Sequence, residues 1–237
     1  MLLAEQSRDL NVLNAVRPHL EDAPKWGRAY LKAISDGDIQ PPERLAKFYK
    51  PYPSEHRGYF EALIRKGQLD LAYLAFFDYL EDKTYLSIPY DPEFLGYPGA
   101  APFNWAYNAK YTSRRPSGAA EVSLFGGERP VLLSQAFPLS AGTYEVVSDM
   151  YGEASKARGY FAWQVQCINQ SRPLVEHRIE ELSTRIQTER FIVDVPRNCP
   201  YQVLKLVGVP GSFPRTVVAE ISRVNITRLE AVQEPTE

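Results

Sequence analysis

Aromatic and polar residues between positions 107 and 164 have types and spacings that could bind a ligand rich in hydroxyl groups. The apolar face of a pyranose ring packs on an aromatic side chain, while amide, carboxylate and guanidinium groups bind its hydroxyls. Tyr151 and Tyr160 flank the segment 152–159, which we expect to form a polar loop at the edge of a sugar site. The candidate ligand-binding residues are Tyr107, Tyr151, Glu153, Arg158, Tyr160 and Gln164.

Two tryptophans near these candidates are better explained as core residues. In the run 160–167, apolar side chains alternate around Trp163, while Gln164 and Gln166 fall on the other face. This pattern predicts a strand with one buried side and one wetter side. Trp105 alternates with apolar neighbours in the same way, so we assign both tryptophans to the core.

The chain has two cysteines, Cys167 and Cys199, at the end of one predicted strand and the start of another. If those strands are neighbours, the pair can form a disulfide, which would require an oxidising compartment. The alternative is a pair of buried free thiols in a cytosolic protein. There is no Cys-x-x-Cys motif and the three histidines are scattered, which argues against a redox or nucleophilic role.

Acidic residues cluster at Asp149 and Glu153 and again at Glu176, Glu180 and Glu181. Neither cluster has the local signature of the carboxylate pair that cleaves a glycosidic bond, and both are explained by solvated charge. Nucleophile elbows, phosphate-binding loops and metal-binding histidine clusters are absent from the sequence. We therefore expect no enzymatic activity and no cofactor.

Net charge and the distribution of apolar residues exclude some classes of binding partner and location. The formal net charge is -2 and the sequence has no basic block, which argues against nucleic acid as a partner. No apolar run approaches the length of a membrane span. The first residues also lack the basic and apolar regions of a secretory signal, so either the protein is cytosolic or this chain begins inside a longer precursor.

Residues 1–82 are predicted to be helical. One predicted helix opens at Pro41, and Ser54 is the predicted N-cap of the next. From Ser54 to Leu80, two amphipathic segments separated by Gly67 resemble a tetratricopeptide-like helical hairpin. A generic hairpin that caps the following domain is the alternative.

From residue 83 the pattern changes, because repeated prolines and glycines between positions 89 and 102 exclude a continuous helix. Residues 103–107 form the first clear candidate strand. About nine short apolar runs separated by turns predict an antiparallel sandwich of the jelly-roll type. The predicted fold class is therefore α+β, with short N-terminal helical hairpins in residues 1–82 and an antiparallel β-sandwich in residues 83–237.

A series of motifs in the sandwich region has a recognisable order. The motifs are Asp91-x-x-Phe94, Pro102-Phe103-Asn104-Trp105, Phe125-Gly-Gly, Gln135-x-Phe137-x-Leu139-x-x-Gly142-x-Tyr144, Trp163-x-Val165-x-Cys167, Val195-Pro196-x-x-Cys199 and Gln202-x-Leu204-x-Leu206. Their order resembles the sandwich domain of bacterial tetratricopeptide-type proteins associated with exopolysaccharide production. That domain in turn is similar to the galactose-binding-like jelly rolls of carbohydrate-binding modules, over roughly residues 90–228.

Two positions depart from this resemblance. Many such modules hold a structural calcium ion with a glutamate near the start of the domain and an aspartate near its end. Leu95 stands at the first position and Ser222 at the second. Calcium prefers several hard oxygen ligands, so we expect no metal.

The resemblance implies a non-catalytic carbohydrate-binding or polysaccharide-assembly accessory protein that is periplasmic or secreted. Its partners would be a polysaccharide or oligosaccharide and a protein of a polysaccharide-assembly system. The alternative function is a scaffold that docks a partner protein through the helical hairpins, and the alternative location is the cytoplasm.

Overall fold

Helices come first in the computed structural model, which describes residues 10–22, 24–36, 52–80 and 87–229. The helix predicted from Pro41 lies outside the described residues. The longest described helix has 13 residues, so none in these ranges reaches the length of a bilayer span. The described helices are α1 (Leu10–Glu21), α2 (Lys25–Asp36), α3 (Pro53–Arg65) and α4 (Leu69–Tyr79).

Helices α3 and α4 form the predicted hairpin. Pro53 occupies the first turn of α3 and Tyr52 is the N-cap, so the prediction of Ser54 as the cap is wrong. Proline suits this position because the backbone N–H groups in the first turn of a helix have no acceptor within the helix. The N–H that proline lacks would therefore have made no helical hydrogen bond. Gly67 adopts a positive φ of 72° between the helices, which a residue without a Cβ tolerates. The tetratricopeptide assignment of this hairpin stays a prediction.

The second part of the chain is an antiparallel sandwich of two sheets, as predicted. The front sheet has the order β1-β4-β10-β6-β7, and the back sheet has the order β2-β3-β11-β5-β9. This arrangement confirms the α+β class with a jelly-roll sandwich. The strands are β1 (Ala106–Tyr107), β2 (Thr112–Arg114), β3 (Ala120–Leu124), β4 (Val131–Pro138), β5 (Gly142–Ser155), β6 (Gly159–Cys167), β7 (Val175–Ile179), β8 (Glu181–Leu182), β9 (Gln187–Val195), β10 (Tyr201–Pro210) and β11 (Val217–Arg228).

Both predicted core tryptophans lie between the sheets. Trp163 is fully buried, and its indole Nε1 donates a hydrogen bond to Ser148 Oγ of the opposite sheet at 3.0 Å. Trp105 is buried and donates to the backbone oxygen of Asp91 at 2.9 Å. Each indole N–H is therefore satisfied inside an apolar layer, where an unpaired donor would be costly.

The segment 152–159 is not the predicted loop. Strand β5 continues to Ser155, where it pairs with β8 and the start of β6, and only residues 156–158 form a turn. Gly152 permits this crossing between sheets, since a Cβ there would lie 2.6 Å from the Cα of Ala219. Its amide also donates to the backbone oxygen of Ser183 at 2.9 Å, which ties β5 to the segment after β8.

The chain forms two compact units. The helical unit comprises residues 1–84 with 98–103, and the sandwich unit comprises residues 85–97 with 104–237. Phe103 belongs to the helical unit, where its ring lies 5.6 Å from that of Phe76. The strand predicted over 103–107 is therefore limited to Ala106–Tyr107. The boundary predicted between residues 82 and 83 stays a prediction.

Cys167 and Cys199 form the predicted disulfide, with a Cα–Cα distance of 5.5 Å. Cys167 ends β6, and Cys199 lies in the turn that leads into β10. These strands are hydrogen-bonded neighbours in the front sheet. The bond therefore closes the connection between its two central strands.

We expect the double substitution of Cys167→Ser and Cys199→Ser to lower the free energy of unfolding of the sandwich by about 3–4 kcal/mol. The disulfide closes a loop whose ends are 32 positions apart and so restricts the unfolded chain. Without the disulfide, the unfolded chain regains that conformational entropy and becomes more stable relative to the folded state. Urea unfolding followed by tryptophan fluorescence measures the change. Reductant should lower the midpoint of the parent and leave the variant unaffected; equal midpoints without reductant would contradict the expectation.

Candidate functional site

The outward side of the front sheet, here called the front face, carries a row of polar side chains across four neighbouring strands. Ser134 of β4 is opposite Lys205 of β10. Lys205 is in turn opposite Gln164 of β6, which is opposite Glu176 of β7. Side chains alternate along a strand, so the apolar neighbours of these residues point inward to the core. The register of three strand pairs thus places a hydroxyl, an ammonium, an amide and a carboxylate side by side.

Glu176 ends this row and accepts three hydrogen bonds. Gln164 Nε2 and Arg129 Nη2 each donate to Glu176 Oε2 at 2.6 Å, and Arg178 Nε donates to Oε1 at 3.1 Å. Burial alone would raise the pKa of Glu176, but the three donors together lower that pKa below its ordinary value. The carboxylate is therefore held in its ionised form and orients the Gln164 amide.

Lys205 lies at the centre of the row and is half-buried. No described residue gives its ammonium group an ion pair or a hydrogen bond. Burial lowers the pKa of Lys205, because a desolvated ammonium is less stable than a hydrated one. A charged group on the front face thus keeps its hydrogen-bonding capacity available to a ligand.

An aromatic ring and short side chains border the polar row. Tyr160 points outward from the first part of β6. The pKa of Arg178 is raised chiefly by the hydrogen bond that Arg178 donates to Glu176 and secondarily by the nearby Tyr160. Ala162 and Ala136 lie on either side of the row, and both are buried. The front face therefore combines a ring, an amide, a carboxylate and cations over a floor of small residues.

The predicted ligand residue Tyr151 lies on the opposite, outward side of the back sheet. A hydrogen bond with Glu220, followed by burial, raises the pKa of the Tyr151 hydroxyl. Charges on this side are paired: Arg223 Nη2 lies 2.7 Å from Asp149 Oδ2, and Thr188 Oγ1 donates to Asp149 Oδ1 at 2.8 Å. Tyr151 and Tyr160 are thus on different faces, because the strand between them crosses from one sheet to the other.

Glu153 and Arg158 line a cleft of about 490 Å³ at one end of the sandwich. Both side chains are exposed. Three hydroxyl side chains join them, and the rest of the lining comes from β5 and β8. The lining residues are Gly152, Glu153, Ala154, Ser155, Arg158, Leu182, Ser183 and Thr184.

Tyr107 is placed apart from the other candidates. It pairs with Leu133 in β1 and packs against the core between the sheets. Burial, and secondarily the nearby carboxylate of Asp91, raise the pKa of its hydroxyl. The structure therefore divides the six candidates among four places: Tyr160 and Gln164 share the front face, four positions apart on β6, and Glu153 and Arg158 share the cleft.

The segment at Leu95, where the sequence departs from the calcium-binding pattern, is held by hydrogen bonds to the side chain of Asp91. Asp91 is buried, and its two carboxylate oxygens accept the amide hydrogens of Leu95 and Gly96, each at 2.8 Å. Ser222 donates instead to the backbone oxygen of Asp149 at 3.4 Å. Within residues 10–22, 24–36, 52–80 and 87–229, no three acidic, histidine or cysteine side chains are grouped to hold a metal ion.

Lys205, Arg178 and Arg129 are not among the site residues predicted from the sequence. Lys205 had a visible signal, since it interrupts the apolar strand run 203–207 at an outward position. Arg129 had none, because it precedes β4 by two residues and reaches Glu176 across 47 positions of sequence. Only the pairing of distant strands brings these side chains together.

No family model matches the chain, and no curated protein matches it. Similar solved structures include a family 4 carbohydrate-binding module, with 10% identity and a TM-score of 0.40 over 53% of this chain and 86% of its own. TmCBM61, solved with β-1,4-galactotriose, has 17% identity and a TM-score of 0.38, over 62% of this chain and 100% of its own. An alginate lyase of polysaccharide lyase family 7 has 11% identity and a TM-score of 0.36, over 53% and 85%.

We expect Glu176→Gln to flatten the acid side of the pH–stability curve. The pKa of Glu176 in the folded state lies below its ordinary value of 4.5. Its ionised form therefore stabilises the fold above that value, and this contribution is lost as the pH falls through the lowered pKa. Urea midpoints measured from pH 7 to about pH 3 test the effect.

The exposed Glu153→Gln provides the matched control, since it removes a carboxylate without removing a network. Parallel curves for the parent and Glu176→Gln would contradict the expected role of the three hydrogen bonds.

Proposed function

We propose that the chain is a non-catalytic carbohydrate-binding protein and that the glycan lies across the front face. One observation supports this proposal most directly. The register of β4, β10, β6 and β7 aligns Ser134, Lys205, Gln164 and Glu176 in one row, with Tyr160 on the same face. A ring that packs on the apolar side of a sugar, beside polar groups that bind hydroxyls, is the combination expected of a glycan site.

Non-catalytic binding is the better reading of the acidic groups on this face. Hydrolysis of a glycosidic bond needs a carboxylic acid and a second carboxylate at a set separation across the substrate. Glu176 has two arginines and an amide as donors, which favours the ionised form over a proton-donating acid. Glu180, which follows β7 directly, forms an ion pair with Lys156 at 3.4 Å.

A place outside the cytoplasm, in the periplasm or secreted, belongs to the same proposal. The Cys167–Cys199 disulfide supports it, because such bonds persist in oxidising compartments and are rare in the cytosol. A role in polysaccharide assembly is a narrower form of the proposal. The alternative of a scaffold acting through the helical hairpins stays a prediction.

Affinity electrophoresis of the full chain through gels containing a panel of neutral and acidic polysaccharides tests the proposed function. At least one polysaccharide should slow the parent protein. Tyr160→Ala and Gln164→Ala should each weaken that binding by about tenfold, or ~1.4 kcal/mol, because they remove the ring and the amide of the front face.

Tyr151→Ala provides the matched control, since it removes the same side chain from the opposite face of the sandwich. Unchanged mobility of the parent in every gel would overturn the proposed function. Retardation lost in Tyr151→Ala but kept in Tyr160→Ala would move the site to the back sheet.

A further inference from the structure

We propose that the glycan bound on the front face is acidic and that Lys205 binds a carboxylate of its uronic acid residues. This inference rests on the proposed function and adds the charge class of the ligand. It follows from the distribution of charge over the front face and from the position of Lys205 within the polar row.

The front face has an excess of positive charge. Arg129, Arg178 and Lys205 are cationic, and Glu176 is the carboxylate that faces them. Lys156 and Glu180, near the same edge of the sheet, form an ion pair with each other. The sum over the other four described residues is about +2, and a ligand that carries negative charge complements it.

Both arginines donate to Glu176, whereas Lys205 has no ion-pair or hydrogen-bond partner among the described residues and is therefore the unpaired cation of the row. The stem of Lys205 rises from β10 between Val203 and Val207, two apolar outward neighbours on the same strand. Its neighbours across the sheet are Ser134 and Gln164, which bear no charge, and the Gln164 amide keeps one N–H beyond the one it donates to Glu176. A carboxylate bound here would gain an ammonium partner, together with a hydroxyl and an amide that can donate hydrogen bonds.

On the opposite face of the sandwich, by contrast, arginines form ion pairs with acidic residues. There Arg115 lies 2.7 Å from Glu220, Arg190 lies 3.2 Å from Glu145, and Arg223 lies 2.7 Å from Asp149. The whole chain also has a formal net charge of -2, so it has no general attraction for polyanions. A preference for an acidic glycan would thus be a property of the front face and not of overall charge.

The test compares two forms of one polymer, polygalacturonate and its fully methyl-esterified form, which share a backbone and differ in charge. Binding of the full chain to each form is measured by affinity electrophoresis at about 0.05 M and 0.2 M salt. The parent should bind the free acid at least tenfold more tightly than the ester at low salt, and this advantage should shrink at the higher salt because exposed charge pairs are screened.

Lys205→Met keeps most of the apolar stem and removes the charge, so it should abolish the advantage of the acid form. Lys205→Arg should retain the advantage. Arg190→Met removes one positive charge from the back sheet and should also retain it. The thermal midpoint of Lys205→Met should equal or exceed that of the parent, because the variant no longer desolvates an ammonium group without a partner.

The outcomes separate this inference from the proposed function. If the parent binds both polymer forms, or another glycan of the panel, with no preference for charge, the acidic-ligand inference is overturned and glycan binding stands. An equal loss in Lys205→Met and Arg190→Met would also overturn it, since the effect would then follow total charge. If no polysaccharide of the panel binds, the proposed function fails and the inference fails with it.

Discussion

The buried hydrogen bond between Trp163 and Ser148 is the interaction on which the arrangement of the two sheets depends. The indole lies on the front sheet and the hydroxyl on the back sheet, and both side chains are fully buried. A donor and an acceptor placed in an apolar layer must meet each other, so any slip of one strand leaves both unsatisfied. Once Trp163 is fixed inward, strand alternation turns Gln164 outward, and the cross-strand register then places Lys205 beside it.

The edge of the sandwich is fixed by a second contact between the sheets. His177 of β7 pairs with Trp163 in register and stacks on Phe191 of β9, with ring centroids 4.9 Å apart and an interplanar angle of 11°. His177 Nε2 also lies 2.9 Å from Glu189 Oε2. This contact holds β7 against the back sheet, so Glu176 and Arg178, on either side of His177, are presented on the front face.

Local alternation was enough to predict the inward tryptophan, the outward glutamine and the jelly-roll sandwich, because a period of two is a property of a single strand. Local sequence patterns gave the wrong structure at residues 152–159, where a loop was predicted. Glycine and charged residues there are typical of a loop, yet β5 continues to Ser155 because β8 and the start of β6 provide backbone partners. The separation of Tyr151 from Tyr160 follows from that pairing, and no local pattern encodes it.

The contrast between the two outer faces argues for a ligand on the front one. An ammonium group that is half-removed from water and has no carboxylate beside it costs stability, whereas an exposed ion pair is close to neutral. On the back face, Arg115, Arg190 and Arg223 each have an acidic residue beside them, which is the arrangement that costs little stability. At position 205 a methionine or a leucine would fit the strand and remove the cost. A lysine at this position is explained if another molecule supplies the partner of its ammonium group. A bound anion would then offset, in the complex, the stability that the free protein loses by partly desolvating that group.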